Sequence, residues 1–396
     1  MGLEFLSMFQ IMSRFSRRLA RRSLRSLWHI LRFLHLAPRA DYFLKSPVDL
    51  KVGKQLEANR TKRVIAICDL ATFPISFDIV YFFVIAENIR RRQGASFVDI
   101  VIISHDDDPL SVPPANSDPI NSKNYRIFLN NIGIACAQLL PNLGNVLNFN
   151  NRGEFEKYWK VVRNQHQIYP DNYSPYCPDY ADKNGHPVYG LRSLIDSDGT
   201  FAENYCLTPT THHLEQVRKW VNSQIPKEHK VITITLRETP HVPERNSNLS
   251  AWQKLVSQYQ NSPITFVVIR DYFSLYEPSP IVGENIKFCT EAVLHAPIRA
   301  ALYQEADINL MVANGTVGLC MLNHQANYIV FKYLCEGAPS ASENDIWNNH
   351  GLKPGDQIPG ANKWQRIIWE PDDFDILNRE LDSFLREHGT ESLCIS

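Results

Sequence analysis

ADINLMVANGTVGLCMLNHQANYIVF, residues 306–331, packs a strand, a glycine turn, a helix and a second strand into one short segment. Residues 308–312 are an apolar run suited to a buried strand. Asn314-Gly315-Thr316 supplies turn and N-cap chemistry, and residues 317–322 open an apolar helix before the next strand at 328–331. A strand that stops at a small polar turn and feeds a helix presents unpaired N–H groups and a positive dipole end, which suits a phosphate or carboxylate. The other reading is an ordinary βαβ turn with a threonine cap, because the spacing lacks the full dinucleotide or P-loop fingerprint.

Working outward, the second half of the chain keeps the same alternation. Helices are expected over 211–224, 250–260 and 297–306, with strands at 231–236, 264–269 and 286–289. Residues 365–369 read as a last strand and 372–388 as a closing amphipathic helix. The first half repeats the pattern: strands at 63–68, 98–103 and 145–149, and helices over 76–92, 121–140 and 154–162. Alternation of this kind predicts an α/β protein with two Rossmann-like open parallel-sheet domains facing a cleft. The expected limits are 61–206 for the first domain and 207–390 for the second. Between them, residues 164–209 are rich in Pro, Tyr, Asp and Asn and read as a long irregular connection. Residues 332–360 read as loop.

Ligands of such sheets sit at the C-terminal strand edge, which selects the candidate residues. Arg237 follows the first strand of the second sheet, on the same side as Asn314, Gly315 and Thr316, where a guanidinium can clamp a diphosphate. Its alternative is an ion pair with Glu238 or Glu244. Arg245, Asn246 and Asn248 follow in the next loop, and Arg270 and Asp271 are weaker candidates of the same kind. In the first half, Asp69 ends a strand and is expected to point toward the cleft. His105, Asp106, Asp107 and Asp108 follow the next strand, where the acidic run either binds a divalent cation or caps a solvated loop. His166, His186, His212 and His213 have no metal-ligand spacing.

The chain has 396 residues, a formal net charge of -1, 44% hydrophobic residues and eight cysteines without a CxxC pair. Two domains are expected, with reduced thiols, no nucleic-acid partner and no membrane-spanning run. Residues 1–45 differ in character. Arg14, Arg17, Arg18, Arg21, Arg22, Arg25, Arg32 and Arg39 interleave with Phe15, Leu19, Leu24, Leu27, Trp28, Leu31 and Leu34, with no acidic residue between positions 13 and 39. This predicts a basic amphipathic helix lying on an anionic membrane surface. A solvated helix and a targeting presequence are the alternatives.

Two successive α/β sheets, the long central connection, the strand-edge Arg237 and the Asn314-Gly315-Thr316 turn together resemble the GT-B class of nucleotide-sugar glycosyltransferases over residues 63–388. An arginine after the first strand of the second sheet is also similar to fucosyltransferase-like enzymes. The resemblance implies a nucleotide-sugar donor held by the second domain through Arg237, Arg245, Asn246, Asn314, Gly315 and Thr316. It implies a saccharide or lipid-linked acceptor on the first, with Asp69 or His105 as base. Metal and cofactor are not required, and the setting is cytoplasmic, on the inner face of a membrane. A metal-dependent GT-A transferase using Asp106 to Asp108, a sugar-nucleotide epimerase and a non-catalytic membrane-associated scaffold are the alternatives.

Overall fold

A computed structural model describes residues 62–71, 73, 75–104, 125–175, 190–195, 204–240 and 242–388. The basic arm, His105, Asp106, Asp107, Asp108 and His186 lie outside the described residues. The chain forms two compact units, one of Met1–Pro74, Ile89–Pro113 and Asn142–Tyr180, the other of Ile75–Asn88, Pro114–Pro141 and Ala181–Ser396.

The first unit holds a four-stranded sheet of β1 (Arg63–Asp69), β2 (Phe97–Ile103), β3 (Leu143–Phe149) and β4 (Gln167–Tyr169), in the order β3-β2-β1-β4. Every pair is parallel. The apolar runs RVIAIC and VDIVII are buried almost throughout, as strands covered on both faces must be. The core on one face gathers Ile65, Ile67, Val101 and Ile103 against Phe155, Trp159 and Tyr173. Strand β4 lies inside the stretch expected to be irregular, because three residues carry too little alternation to register as a strand.

The second unit holds a six-stranded sheet of β5 (Lys230–Thr235), β6 (Ile264–Ile269), β7 (Ile286–Phe288), β8 (Ile308–Val312), β9 (Tyr328–Phe331) and β10 (Gln365–Ile367). All pairs are parallel, and the order is β10-β9-β8-β5-β6-β7. Numbered from its own first strand this is the doubly wound order 3-2-1-4-5-6, whose topological switch point falls between strands 1 and 4. Here those strands are β5 and β8. The expected α/β class with two open parallel sheets is therefore what the chain adopts.

Several helices differ from expectation. The segment over 76–92 becomes helical only at α1 (Ile79–Gln93), after a turn at Ser76 whose hydroxyl accepts from Asp78 N at 3.2 Å. The next helical segment, α2, is α-helical at Tyr125–Phe128 and Ala135–Ala137 and wound as a π-helix at Leu129–Ile134. A helix at Glu343–His350 occupies the stretch read as loop, capped by the Ser342 hydroxyl. Its sequence, ENDIWNNH, buries only Ile346, so it has no apolar stripe to announce it.

Candidate functional site

At the switch point of the second sheet β5 ends in a polar residue, and the turn beyond β8 carries two more. Thr235, the last residue of β5, is 2.8 Å from the Tyr303 hydroxyl, which lies 3.2 Å from the Thr316 hydroxyl beyond β8. Asn314 Oδ1 accepts from Thr316 N at 2.9 Å and from Thr316 Oγ1 at 2.6 Å, and Asn314 Nδ2 donates to Val312 O. Thr316 does not cap the helix with its side chain, contrary to expectation; Asn314 closes the turn as an Asx motif instead. The helix that follows is short, Val317–Met321.

The glycines of this turn serve another purpose than the approach of a phosphate. Neither Gly315 nor Gly318 is among the residues with positive φ. A Cβ on Gly315 would stand 3.2 Å from the Cβ of Phe77, and one on Gly318 would stand 2.8 Å from Val80 Cγ2 and 3.3 Å from Tyr81. The turn is glycine-rich because the chain around Phe77 to Tyr81 lies directly on it.

Arg237 leaves β5 and turns back into the loop that follows. Its Nη1 donates to Val242 O at 2.8 Å and to Asn246 Oδ1 at 2.6 Å, and Asn246 Nδ2 donates to Thr239 O. Arg237 and Ser247 exchange bonds through Arg237 N and Ser247 N. Two non-glycine residues in the left-handed region support the loop: Val242 at φ 53° and Lys332 at φ 52°, whose Nζ donates to Asn246 O at 2.9 Å. Left-handed backbone at a β-branched residue is strained and persists only where surrounding contacts enforce it.

Arg245 joins Arg237 from the same loop. Its Nη groups donate to Ser340 Oγ and Ala313 O, while its buried Nε has no partner. Among the described residues no carboxylate makes an ion pair with it. Burial lowers the pKa of both guanidiniums, and for Arg237, with Arg245 as the second cause, the value falls to about 10. Two cations are thus brought together against burial and mutual repulsion, which makes this loop a candidate anion site. Glu238, one of the two ion-pair partners considered for Arg237, takes a bidentate bridge from Arg270 at 2.6 and 2.8 Å, whereas the charge of Glu244, the other, bears on Arg237 together with that of Asp271.

A carboxylate that sequence reasoning missed faces Arg245. Asp78 accepts from Ser76 Oγ at 3.0 Å, and its pKa is raised by burial against the lowering effects of Ser76 and Arg245. Tyr333 lies close enough for its ionisation to be felt by both Arg245 and Asp78, and its hydroxyl is 2.8 Å from His350 Nδ1. The signal was SFD before an apolar run, a serine turn opening a helix. Starting the helix at Ser76 hid Asp78 in its first turn.

Asp69, expected to point toward a cleft, is engaged by partners within the first unit. It is fully buried, with Arg152 Nη1 at 2.8 Å, Arg152 Nη2 at 2.9 Å and the Tyr173 hydroxyl at 2.8 Å. His213 is engaged by neighbours of its own. His213 lies 5.5 Å, ring to ring, from His295, and His213 Nδ1 is 2.9 Å from the Thr210 hydroxyl. Among the described residues no group of His, Cys, Asp and Glu could hold a metal ion, and no helix is long and apolar enough to cross a membrane.

No model of a known protein family matches the chain, and none of the curated proteins matches it. Among solved structures it is similar to a glycosyl transferase of family 9 from Veillonella parvula, at 9% identity and TM-score 0.47, over 84% of this chain and 99% of that one. It is similar to the ADP-heptose lipopolysaccharide heptosyltransferase II of E. coli at 11% identity and TM-score 0.44, over 83% and 99%. A second E. coli heptosyltransferase, solved with ADP, is 13% identical at TM-score 0.41, over 83% and 100%.

Proposed function

We propose that the protein is a glycosyltransferase that takes a sugar from a nucleoside-diphosphate donor and passes it to a hydroxyl of a saccharide or lipid-linked acceptor. The observation that carries this reading is the pair Arg237 and Arg245 at the switch point of the second sheet, with Asp78 facing Arg245. Nucleotides bind outside the carboxyl ends of strands at such a point. Two guanidiniums there bind a diphosphate and stabilise the charge that grows on it as the glycosidic bond breaks. They supply that charge in place of a metal.

Asp78, rather than Asp69, is the candidate base. A carboxylate whose burial raises its pKa takes up a proton from an attacking hydroxyl more readily than an ordinary one. Asp69 already accepts from Arg152 and Tyr173 within the first unit. Asn314, Gly315 and Thr316 shape the floor of the site, and Asn246 holds Arg237. The basic arm of residues 1–45 brings the enzyme to an anionic lipid surface on the cytoplasmic side, where lipid-linked acceptors are found.

The test is a thermal-shift and calorimetric screen of the full chain against ADP, GDP, UDP and CDP, with and without Mn²⁺, followed by transfer assays with the matching sugar nucleotides. A ligand bound only by the native state raises the unfolding midpoint. A metal-independent rise abolished in Arg245→Ala is expected; absence of any nucleotide effect overturns the reading. A rise that requires Mn²⁺ moves the diphosphate to Asp106, Asp107 and Asp108. Removal of residues 1–39 is expected to end co-sedimentation with phosphatidylserine vesicles, and retained binding would discard the membrane role.

A further inference from the structure

Arg299 is buried, 6% exposed, in the helix Ala296–Glu305. Its Nε donates to Ala292 O at 2.6 Å, and among the described residues no carboxylate pairs with it. The thiols of Cys136 and Cys320, whose pKa values respond to its charge, are driven upward by burial and stay neutral, so they do not compensate it. A buried cation without a counter-charge is costly and is retained where it has another partner. That partner is an aromatic ring: the guanidinium carbon lies 5.6 Å from the centroid of Phe77, within cation–π range. Phe77 in turn rests on Gly315 and directly precedes Asp78.

We propose that Arg299 is a positioning residue for Asp78: stacked on Phe77, which is seated on Gly315, it fixes the turn Ser76-Phe77-Asp78 against the guanidinium of Arg245. The glycine turn, the ring and the buried cation then form one clamp, and Asp78 is held at its far end. This rests on the reading of Asp78 as the carboxylate of the site. The charged and titratable groups facing Asp78 are Arg245, Tyr81 and Tyr333, with the Ser76 hydroxyl as a hydrogen-bond donor. Arg299 is not among them, so its influence passes through Phe77.

The sign of one titration separates positioning from direct charge. Loss of a nearby cation raises the pKa of a carboxylate, whereas release of a buried carboxylate to water lowers it. The experiment follows the Asp78 carboxyl by NMR in the full chain with ¹³C-labelled aspartate, assigned by comparison with Asp78→Asn, together with amide exchange over residues 76–81. In Arg299→Met the titration is expected to move down toward the ordinary carboxylate value and exchange is expected to quicken. Phe77→Leu is expected to do the same with the cation still in place, and the double variant to add nothing further. The proposal is overturned by an unchanged or raised Asp78 titration in Arg299→Met. An undiminished effect of that change in the Phe77→Leu background also overturns it, as does an unaltered Asp78 in Phe77→Leu alone should Arg299→Met not fold. Both readouts are taken without nucleotide, so failure to bind any nucleoside diphosphate would count against the proposed function and not against the clamp.

Discussion

The two sheets begin with the same winding, and each ends its first strand in a polar group at the point where the strand order reverses, yet the two ends are finished in opposite ways. At the end of β1, Asp69 is fully buried and closed by a two-pronged bond from Arg152 and by the Tyr173 hydroxyl. Beyond β5 and β8, Arg237 is held by Val242 O and Asn246 Oδ1, and Arg245 keeps a buried Nε without a partner. In the first unit a buried carboxylate is closed by a guanidinium and a hydroxyl; in the second two guanidiniums are drawn together against their mutual repulsion. A switch point is therefore a position that topology provides, and the local sequence decides which charges are gathered there.

The sharpest way to break this comparison is at the two aspartates. Asp78→Asn is expected to cost about 10²–10⁴-fold in transfer rate, the usual contribution of a general base. Because burial of its charge is the largest influence on Asp78, the same change is expected to leave the thermal midpoint unchanged or higher. Circular-dichroism melting beside a transfer assay checks both.

Arg152→Ala is expected to act in the reverse sense. It leaves the fully buried Asp69 without its cation, and breaking a buried pair from one side costs about 3–5 kcal/mol of stability. Denaturant unfolding measures the loss. Nucleotide affinity at saturating native protein should stay as it was, and a selective loss of affinity would place Arg152 in the binding machinery.

Arg245→Ala is expected to weaken nucleoside-diphosphate binding by roughly 10–100-fold, the value of one or two charge-assisted hydrogen bonds at about 1.5–3 kcal/mol. It removes a cation that Arg237 feels as repulsion, so stability should not fall in proportion. Calorimetry against denaturant titration separates the two effects.

The smallest effect concerns acid. Burial lowers the pKa of His350 from 6.5 to about 4, and lowers those of His213 and His295 as well. A histidine whose folded pKa lies below its unfolded value binds fewer protons in the native state. Stability is therefore retained above pH 6.5 and lost as pH falls toward 4, by up to about 1.4 kcal/mol per pH unit for one such group. His350→Gln should flatten this slope, which unfolding midpoints across that pH range would show.

The residues that declared themselves in the sequence are those whose function is written in local pattern. Apolar runs such as VITIT and INLMV are buried strands in any α/β context, and their alternation with helices predicts parallel sheets. The placement of Arg237 and of Asn314-Gly315-Thr316 at one sheet edge also followed, because residues after parallel strands share an edge. Short elements without an apolar stripe, such as β4 and the helix Glu343–His350, did not follow.

What only the tertiary structure decided was which polar groups are already paired. Asp69 ends β1 and Asp78 lies in the turn that opens the following helix, and in neither case does the local sequence tell whether the carboxylate is already paired. One meets Arg152, 83 positions away in the chain, and is closed. The other faces Arg245, a cation held by neutral oxygens. The two glycines at 315 and 318 are likewise alike in sequence to phosphate-binding glycines, and it is the docking of Phe77 and Val80 from the far side of the chain that accounts for them. Propensity and periodicity act over a few residues and fix the strands, whereas pairing of charge and filling of space are settled between segments far apart in sequence, and so become visible only when the chain has folded.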